Sequence, residues 1–481
     1  MGSLTKGTMY LMIAQAVFLA STYLMQIGLG RFLGPELYGV YGVIMALITA
    51  VTLMLTSGME QAISKKVSEK RELAYTIKNS AFKLEFVFSI IVAIIYFASA
   101  ELIANLLNDA SLISYIRFSS LIIPVYCIGK VYSGYFDGLQ QFKKHSFLLI
   151  IFSITRLLFV FALAYIFLIN GVIAGIIVAS FASLTAAIMI SKKGKKYSMK
   201  TRELIIFAIP VTMFNLAFTL LFSIDLFFVK ALLQENMLVG YYNASVNLAR
   251  SLYFLLSALA LVLLPAISEA VTKNKIETTK RLIRESMRYV FMCLIPLCIL
   301  ISVTSKNLVV LFYQARYLPA AAPLSILIFG SAFLTIFFIL ATVLMGAGNP
   351  KLPMVVVILL VFIDIILNLV LIPQYSLAGA AIATTITSLI GAIVLSAAVV
   401  RRFGMFASLK SLMKILLASL IVYVIASLIP AINKFLLPVE YALLAMIYLG
   451  VLLLLKEVTK EDIRRIKSLM PKSIRGFLPL E

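Results

Sequence analysis

Apolar runs long enough to cross a bilayer recur along the whole chain. A spanning helix needs roughly 20 apolar residues. Fourteen such segments are read, at roughly 7–28, 37–59, 79–100, 111–133, 146–168, 171–190, 203–230, 239–264, 286–308, 318–345, 351–373, 376–400, 411–430 and 434–456. The first lacks a clear small-x-small cleavage site and is read as a retained span rather than a signal peptide. The connecting loops are short. Three stretches, 60–78, 266–285 and 457–475, mix charged and apolar positions and predict amphipathic helices at the membrane surface.

Composition sharpens the picture. Of 481 residues, 62% are apolar and 13% charged, against roughly 45–50% apolar in a globular protein. That excludes a soluble enzyme and a disordered chain. Cys127, Cys293 and Cys298 lie in apolar runs, so no disulfide framework is expected. A single histidine, His145, makes no metal site by itself. No cofactor, metal or nucleic-acid partner is predicted, and a membrane enzyme is disfavoured by the short loops.

The net charge of +22 follows from topology. With the N-terminus placed in the cytoplasm, most of the 42 basic residues fall in inner loops and tails. Outside stand Arg31, Lys230, Lys306, Arg316 and Lys434; Arg117, Arg156 and Arg250 fall within spans. This asymmetry places both termini in the cytoplasm of a multi-pass protein of the cell membrane.

The second half of the chain echoes the first. Gly138, Lys143 and Gly171 recur as Gly346, Lys351 and Gly379, all 208 residues on. Leu37-Tyr38-Gly39-Val40-Tyr41 resembles Leu238-Val239-Gly240-Tyr241-Tyr242. The unit holds six spans, an even number, so the two copies run parallel. The expectation is an all-α polytopic membrane protein of about 14 helices. An N-lobe (1–200) and a C-lobe (201–405) are followed by two further spans (406–456) and an amphipathic cytoplasmic tail (457–481), and the chain is taken as a monomer.

Polar stripes mark particular helices. Span 1 carries Gln15, Thr22 and Gln26; span 2 carries Tyr38, Tyr41, Met45, Thr49, Thr52 and Thr56, on one face at 3- and 4-residue steps. Span 7 carries Thr212, Asn215, Thr219 and Ser223; span 8 carries Asn243, Asn247 and Arg250. Spans 1, 2, 7 and 8 are therefore expected to line a water-filled cavity, although small polar residues also glue helices together. Intramembrane ionisable residues are costly and tend to be functional. Arg250, near the midplane, calls for an anionic partner, and Arg31 and Lys230 extend the basic lining outward. Arg156 and Asp364 occupy repeat-equivalent positions. Arg156 is read as half of a structural ion pair. Asp364, with Asn368 one turn on, and Asp225 are candidate proton or sodium sites. Glu85 and Glu101 are placed near span ends.

Several stretches resemble a known family. They are Arg31-Phe-Leu-Gly34-Pro35-Glu36-Leu-Tyr38-Gly39, Ser223-Ile-Asp225, Val239-Gly240-Tyr241-Tyr242-Asn243-Ala244, Pro265-Ala-Ile-Ser268, Gly346-Ala-Gly348-Asn-Pro350-Lys351, Leu367-Asn368 and Ala378-Gly379. In this order they look like the oligosaccharide flippases (polysaccharide transporters) of the multidrug/oligosaccharidyl-lipid/polysaccharide superfamily. The resemblance implies that superfamily's fold and a lipid-linked oligosaccharide on a polyprenyl (pyro)phosphate, moved from inner to outer leaflet by alternating access, with membrane lipids and a coupling H+ or Na+ as candidate partners. Arg250, Arg31 and Lys230 would meet the phosphate; Asn243, Asn247, Tyr38, Tyr41 and Gln26 the rest of the head group. The alternative is a cation or multidrug antiporter of the related branch.

Overall fold

The computed structural model describes residues 2–192, 194, 202–404, 408–428, 436–458 and 462. Lys434 and nearly all of the expected tail at 457–481 lie outside them. Among the described residues there is no strand, and ten helices are long and apolar enough to cross a membrane. Large apolar side chains such as Ile94, Leu158 and Leu359 are more than half exposed. Such surface is stable only against lipid.

The helices run α1 (Gly2–Glu69), α2 (Ala74–Ala98), α3 (Ala100–Leu106), α4 (Leu112–Ser119), α5 (Ile122–Gly138), α6 (Phe142–Ile190), α7 (Arg202–Leu220), α8 (Ile224–Leu233), α9 (Asn236–Thr272), α10 (Ile276–Val303), α11 (Ser305–Tyr313), α12 (Ala321–Gly346), α13 (Lys351–Phe403), α14 (Leu409–Leu428) and α15 (Leu437–Leu454). The amphipathic stretches differ from expectation. Residues 60–69 simply continue α1, and 266–285 is divided between the end of α9 and the start of α10. Their mixed pattern is that of span ends with one polar face, which periodicity alone does not distinguish from a surface helix.

α1, α6 and α13 each carry two of the apolar segments, parted by one non-helical residue: Gly34 (φ 77°), Leu168 (φ 50°) and Ser376 (φ 53°). Leu168 and Ser376 stand 208 residues apart and have nearly the same backbone, ψ −126° and −132°. Three residues after each comes a glycine. A Cβ on Gly171 would lie 2.0 Å from the Leu163 carbonyl oxygen, and one on Gly379 2.1 Å from that of Leu371. The repeat is thus a repeat of geometry: a single left-handed residue turns the chain, and a glycine lets the returning helix pack against a carbonyl.

The chain forms two compact units. The first holds residues 1–248, 312–323 and 351–387, and the second holds 249–311, 324–350 and 388–481. A core of the first joins Ile63 and Val67 of α1, Ile77 of α2, Phe136 of α5 and Leu148 of α6. In the second, Leu300 of α10, Ile415 and Val422 of α14 and Leu444 and Tyr448 of α15 pack together.

Candidate functional site

The first unit contains three polar assemblies. The first is a plug. Tyr38 is fully buried; its hydroxyl donates to Gln26 Oε1 at 3.1 Å and lies 3.1 Å from that of Tyr313. Asn247 Nδ2 donates to the Tyr38 hydroxyl at 3.2 Å and to Asn243 Oδ1 at 3.1 Å. Tyr41 stacks on Tyr38 with ring centroids 5.6 Å apart, and Tyr317 meets Tyr38 edge-on at 6.1 Å. Gln26, Tyr38, Tyr41, Asn243 and Asn247 do come together, as their stripes suggested. They form packed contacts, Tyr38, Tyr41 and Asn243 buried and Gln26 and Asn247 half-buried, and aromatic rings from α11 and the following turn fill the space between them.

Backbone contact seals the plug further. A Cβ on Gly39 would sit 2.1 Å from the Asn236 carbonyl oxygen, and one on Gly240 1.8 Å from that of Pro35. The two glycines match in the repeat, and only their missing side chains allow the start of α9 to touch α1.

Around the plug, the expected outer cations have partners of their own. Lys230 is 1% exposed; its Nζ donates to Asp109 Oδ2 at 2.6 Å and to Asn236 Oδ1 at 2.5 Å. Arg31 is exposed, and its Nε donates to the Phe312 carbonyl at 2.7 Å. Arg250 is half-buried on α9, one turn beyond Asn247, and belongs to the second unit.

The second assembly is an open cavity of about 650 Å³, lined by Thr56, Ser57, Glu60, Gln61, Ser64 and Lys65 of α1, Tyr126, Lys130 and Asp137 of α5, and Phe207 and Asn215 of α7. Thr56 and Asn215 come from the predicted stripes. Glu60, Lys130, Asp137 and His145 do not, because the sequence places them at span ends and in a loop. Lys130 Nζ lies 3.4 Å from Glu60 and His145 Nδ1 2.6 Å from Asp137 Oδ1. Donor atoms of Glu60, Asp137 and His145 lie within 4.8 Å of one another. Lys130 offsets one of the two carboxylates, Glu60, and His145 hydrogen-bonds the other. Glu85 also departs from expectation: it is eleven residues into α2, 2% exposed, with Oε1 lacking a hydrogen-bond partner among the described residues.

The third assembly is a buried carboxylate pair. α7 stops at Leu220 and α8 begins at Ile224, which puts Asp225 in a first helical turn. Asp225 accepts from the Tyr242 hydroxyl at 2.5 Å, the Thr384 hydroxyl at 3.1 Å and the Leu226 amide at 2.8 Å. One turn from Thr384 on α13, Thr387 donates to Asp364 Oδ1 at 3.1 Å. Asp364 and Asn368 are fully buried, and Asp364 Oδ2 and Asn368 Oδ1 have no hydrogen-bond partner among the described residues. The repeat-equivalent Arg156 forms no ion pair with a described residue, contrary to expectation. Its Nη2 donates to Thr22 at 2.6 Å and Ser21 at 3.2 Å, and its guanidinium lies 5.0 Å and 5.2 Å from the rings of Phe18 and Phe152. Hydroxyls and ring faces take the place of a carboxylate.

Comparison with known proteins agrees with this architecture. Residues 29–322 match the family model described as "Polysaccharide biosynthesis protein". An uncharacterised membrane protein of Methanocaldococcus jannaschii is 23% identical over 80% of this chain and 95% of its own length. The lipid II flippase MurJ of Bacillus subtilis is 24% identical over 69% of this chain and 70% of its own length. A solved structure of lipid II flippase MurJ in an inward closed conformation superposes with a TM-score of 0.75 at 18% identity, covering 92% of this chain and 97% of that one. The fold, the repeat and the family match lead to one assignment: this membrane protein belongs to the polysaccharide biosynthesis protein family.

Proposed function

We propose that the protein flips a lipid-linked oligosaccharide, carried on a polyprenyl (pyro)phosphate, from the inner to the outer leaflet of the cell membrane by alternating access. The observation that carries this reading is the pairing, within one unit, of a sealed plug with an open polar cavity of about 650 Å³. The cavity is roomy enough for a sugar head group, and it offers hydroxyls, amides and the cations Lys65 and Lys130. The lipid II flippase among the relatives supports the substrate class. In this reading fourteen spans form two parallel lobes, with both termini in the cytoplasm. The plug residues Tyr38, Tyr41, Gln26, Asn243 and Asn247 part and contact sugars in the outward state. Arg250 pairs with phosphate, while Arg31 keeps the outer rim basic and Lys230, paired with Asp109, holds the outer turns together.

Asp225, Asp364 and Asn368, joined by Thr384 and Thr387, are proposed as the coupling-ion site. Two carboxylates buried in an apolar bundle are costly unless a cation joins them. The buried oxygens without hydrogen-bond partners, Asp364 Oδ2 and Asn368 Oδ1, suit Na+ or a proton.

One experiment tests both parts. Lipids co-purifying with the wild type, Arg250→Ala and Asp364→Asn are analysed by mass spectrometry, each prepared with and without sodium. A polyprenyl-phosphate glycan on the wild type, lost with Arg250→Ala and no longer sodium-dependent with Asp364→Asn, is expected. Ordinary phospholipids alone on all three would overturn the substrate and favour cation antiport.

A further inference from the structure

We infer that the second unit carries a binding site for an anionic glycerophospholipid, separate from the assemblies above. A cavity of about 360 Å³ opens where the start of α14 and the chain after α15 meet α10. Five basic residues line it: Arg284 and Arg288 of α10, Lys410 and Lys414 of α14, and Lys456. Each helix presents its cations four residues apart, on one face. The two acidic lining residues are Glu285 and Glu457. Glu457 is engaged on several sides. Lys414 Nζ lies 3.5 Å away, Arg288 Nε 3.8 Å away, and Ser411 donates to its carboxylate. Arg281 Nε stands 4.0 Å from Glu285. Arg288 also reaches Asp462, and the Tyr289 hydroxyl donates to the same carboxylate at 2.5 Å.

Arg284, Lys410 and Lys456 remain. All three are exposed, and none forms an ion pair with a described residue. They leave the cavity net positive, which suits a phosphate diester.

The occupant is argued from what borders the cations. Phe291, Leu412 and Ile415 form an apolar wall of the same cavity. On α14, Lys410 shares its face with an exposed apolar stripe three, seven and ten residues on: Met413 at 63%, Leu417 at 49% and Leu420 at 55% exposure. A basic pocket opening onto a lipid-facing helix suits a phosphate head group with its acyl chains along that helix. A free phosphate would use the cations and leave the stripe unexplained. The inference does not depend on which glycan the protein moves.

The test is native mass spectrometry of the delipidated protein titrated with dioleoyl-phosphatidylglycerol or dioleoyl-phosphatidylcholine. Variants are Arg284→Gln/Lys410→Gln/Lys456→Gln and the single Lys410→Gln, with Lys306→Gln as a control at another helix. The wild type and control are expected to prefer phosphatidylglycerol, and the triple variant to lose that preference by roughly tenfold or more. Lys410→Gln is expected to fall between. Thermal midpoints are expected to stay unchanged, since these three side chains form no ion pairs with described residues. Equal phosphatidylglycerol affinity in all proteins would overturn the site. Full displacement of the lipid by millimolar inorganic phosphate would overturn the lipid assignment in favour of free phosphate.

Discussion

Lys230 stands where the sequence places a substrate-facing cation, yet its ammonium is engaged by Asp109 and Asn236. Its partner Asp109 lies in the turn between α3 and α4. Burial pushes that carboxyl up, but hydrogen bonds from Lys230 and Ser111, the Lys230 charge and Asn236 outweigh it and hold the group at about 2. A carboxyl so depressed stabilises the fold above its unfolded value, about 3.9, and that contribution disappears as pH falls through about 2. Thermal unfolding of the wild type is therefore expected to show a loss of midpoint between about pH 4 and pH 2. Lys230→Met should lack that step and be less stable at neutral pH by about 3 kcal/mol. An unchanged acid limb in the variant would show that the pair contributes nothing. The sequence gives no sign of this pairing. Its members are 121 residues apart, and periodicity reports which face a residue occupies, not which helix it meets.

At the scale of elements, Gly39 and Gly240 determine how closely α1 and α9 approach. The carbonyl oxygens a Cβ would meet are 2.1 and 1.8 Å away, so a methyl group has room only if a helix moves. Gly240→Ala is expected to destabilise the protein by about 1–3 kcal/mol, read as a lower thermal midpoint. Gly450→Ala, where a Cβ meets nothing within 4 Å, should leave the midpoint in place. Equal midpoints for the two variants would remove the glycine contact from the account. Helices, their order and this glycine pair were legible in the sequence, because apolar length and repeat spacing survive in residue types. The turns at Leu168 and Ser376 were not, since neither residue type favours positive φ. Only the glycine three positions later, matched at 208, hinted at them. The plug was half legible: the stripes named its amides and two tyrosines, while Tyr313 and Tyr317, which close it, come from a stretch read only as the loop between two spans. The inner cavity was missed in part because Lys130 and Glu60 looked like loop charges.

At the scale of the whole molecule, the two repeats differ most where they are most nearly equivalent. One holds the guanidinium of Arg156 among Ser21, Thr22 and two phenylalanine rings. The other holds Asp364 beside Asn368 and Thr387. A tethered cation cannot be exchanged, whereas a carboxylate can gain and lose one. Under the proposed coupling, the first repeat contributes a permanent positive charge and the second a single replaceable one. The coupling ion then contributes at most one elementary charge per turnover, added to the charge that the lipid phosphate itself carries across. A membrane potential acts on such a charge with about 2.3 kcal/mol per 100 mV. In proteoliposomes clamped by a potassium diffusion potential, Asp364→Asn should shift the apparent valence of flipping by no more than one relative to the wild type. No shift at all would mean that Asp364 carries no exchangeable charge, and the asymmetry between the repeats would have no electrical meaning.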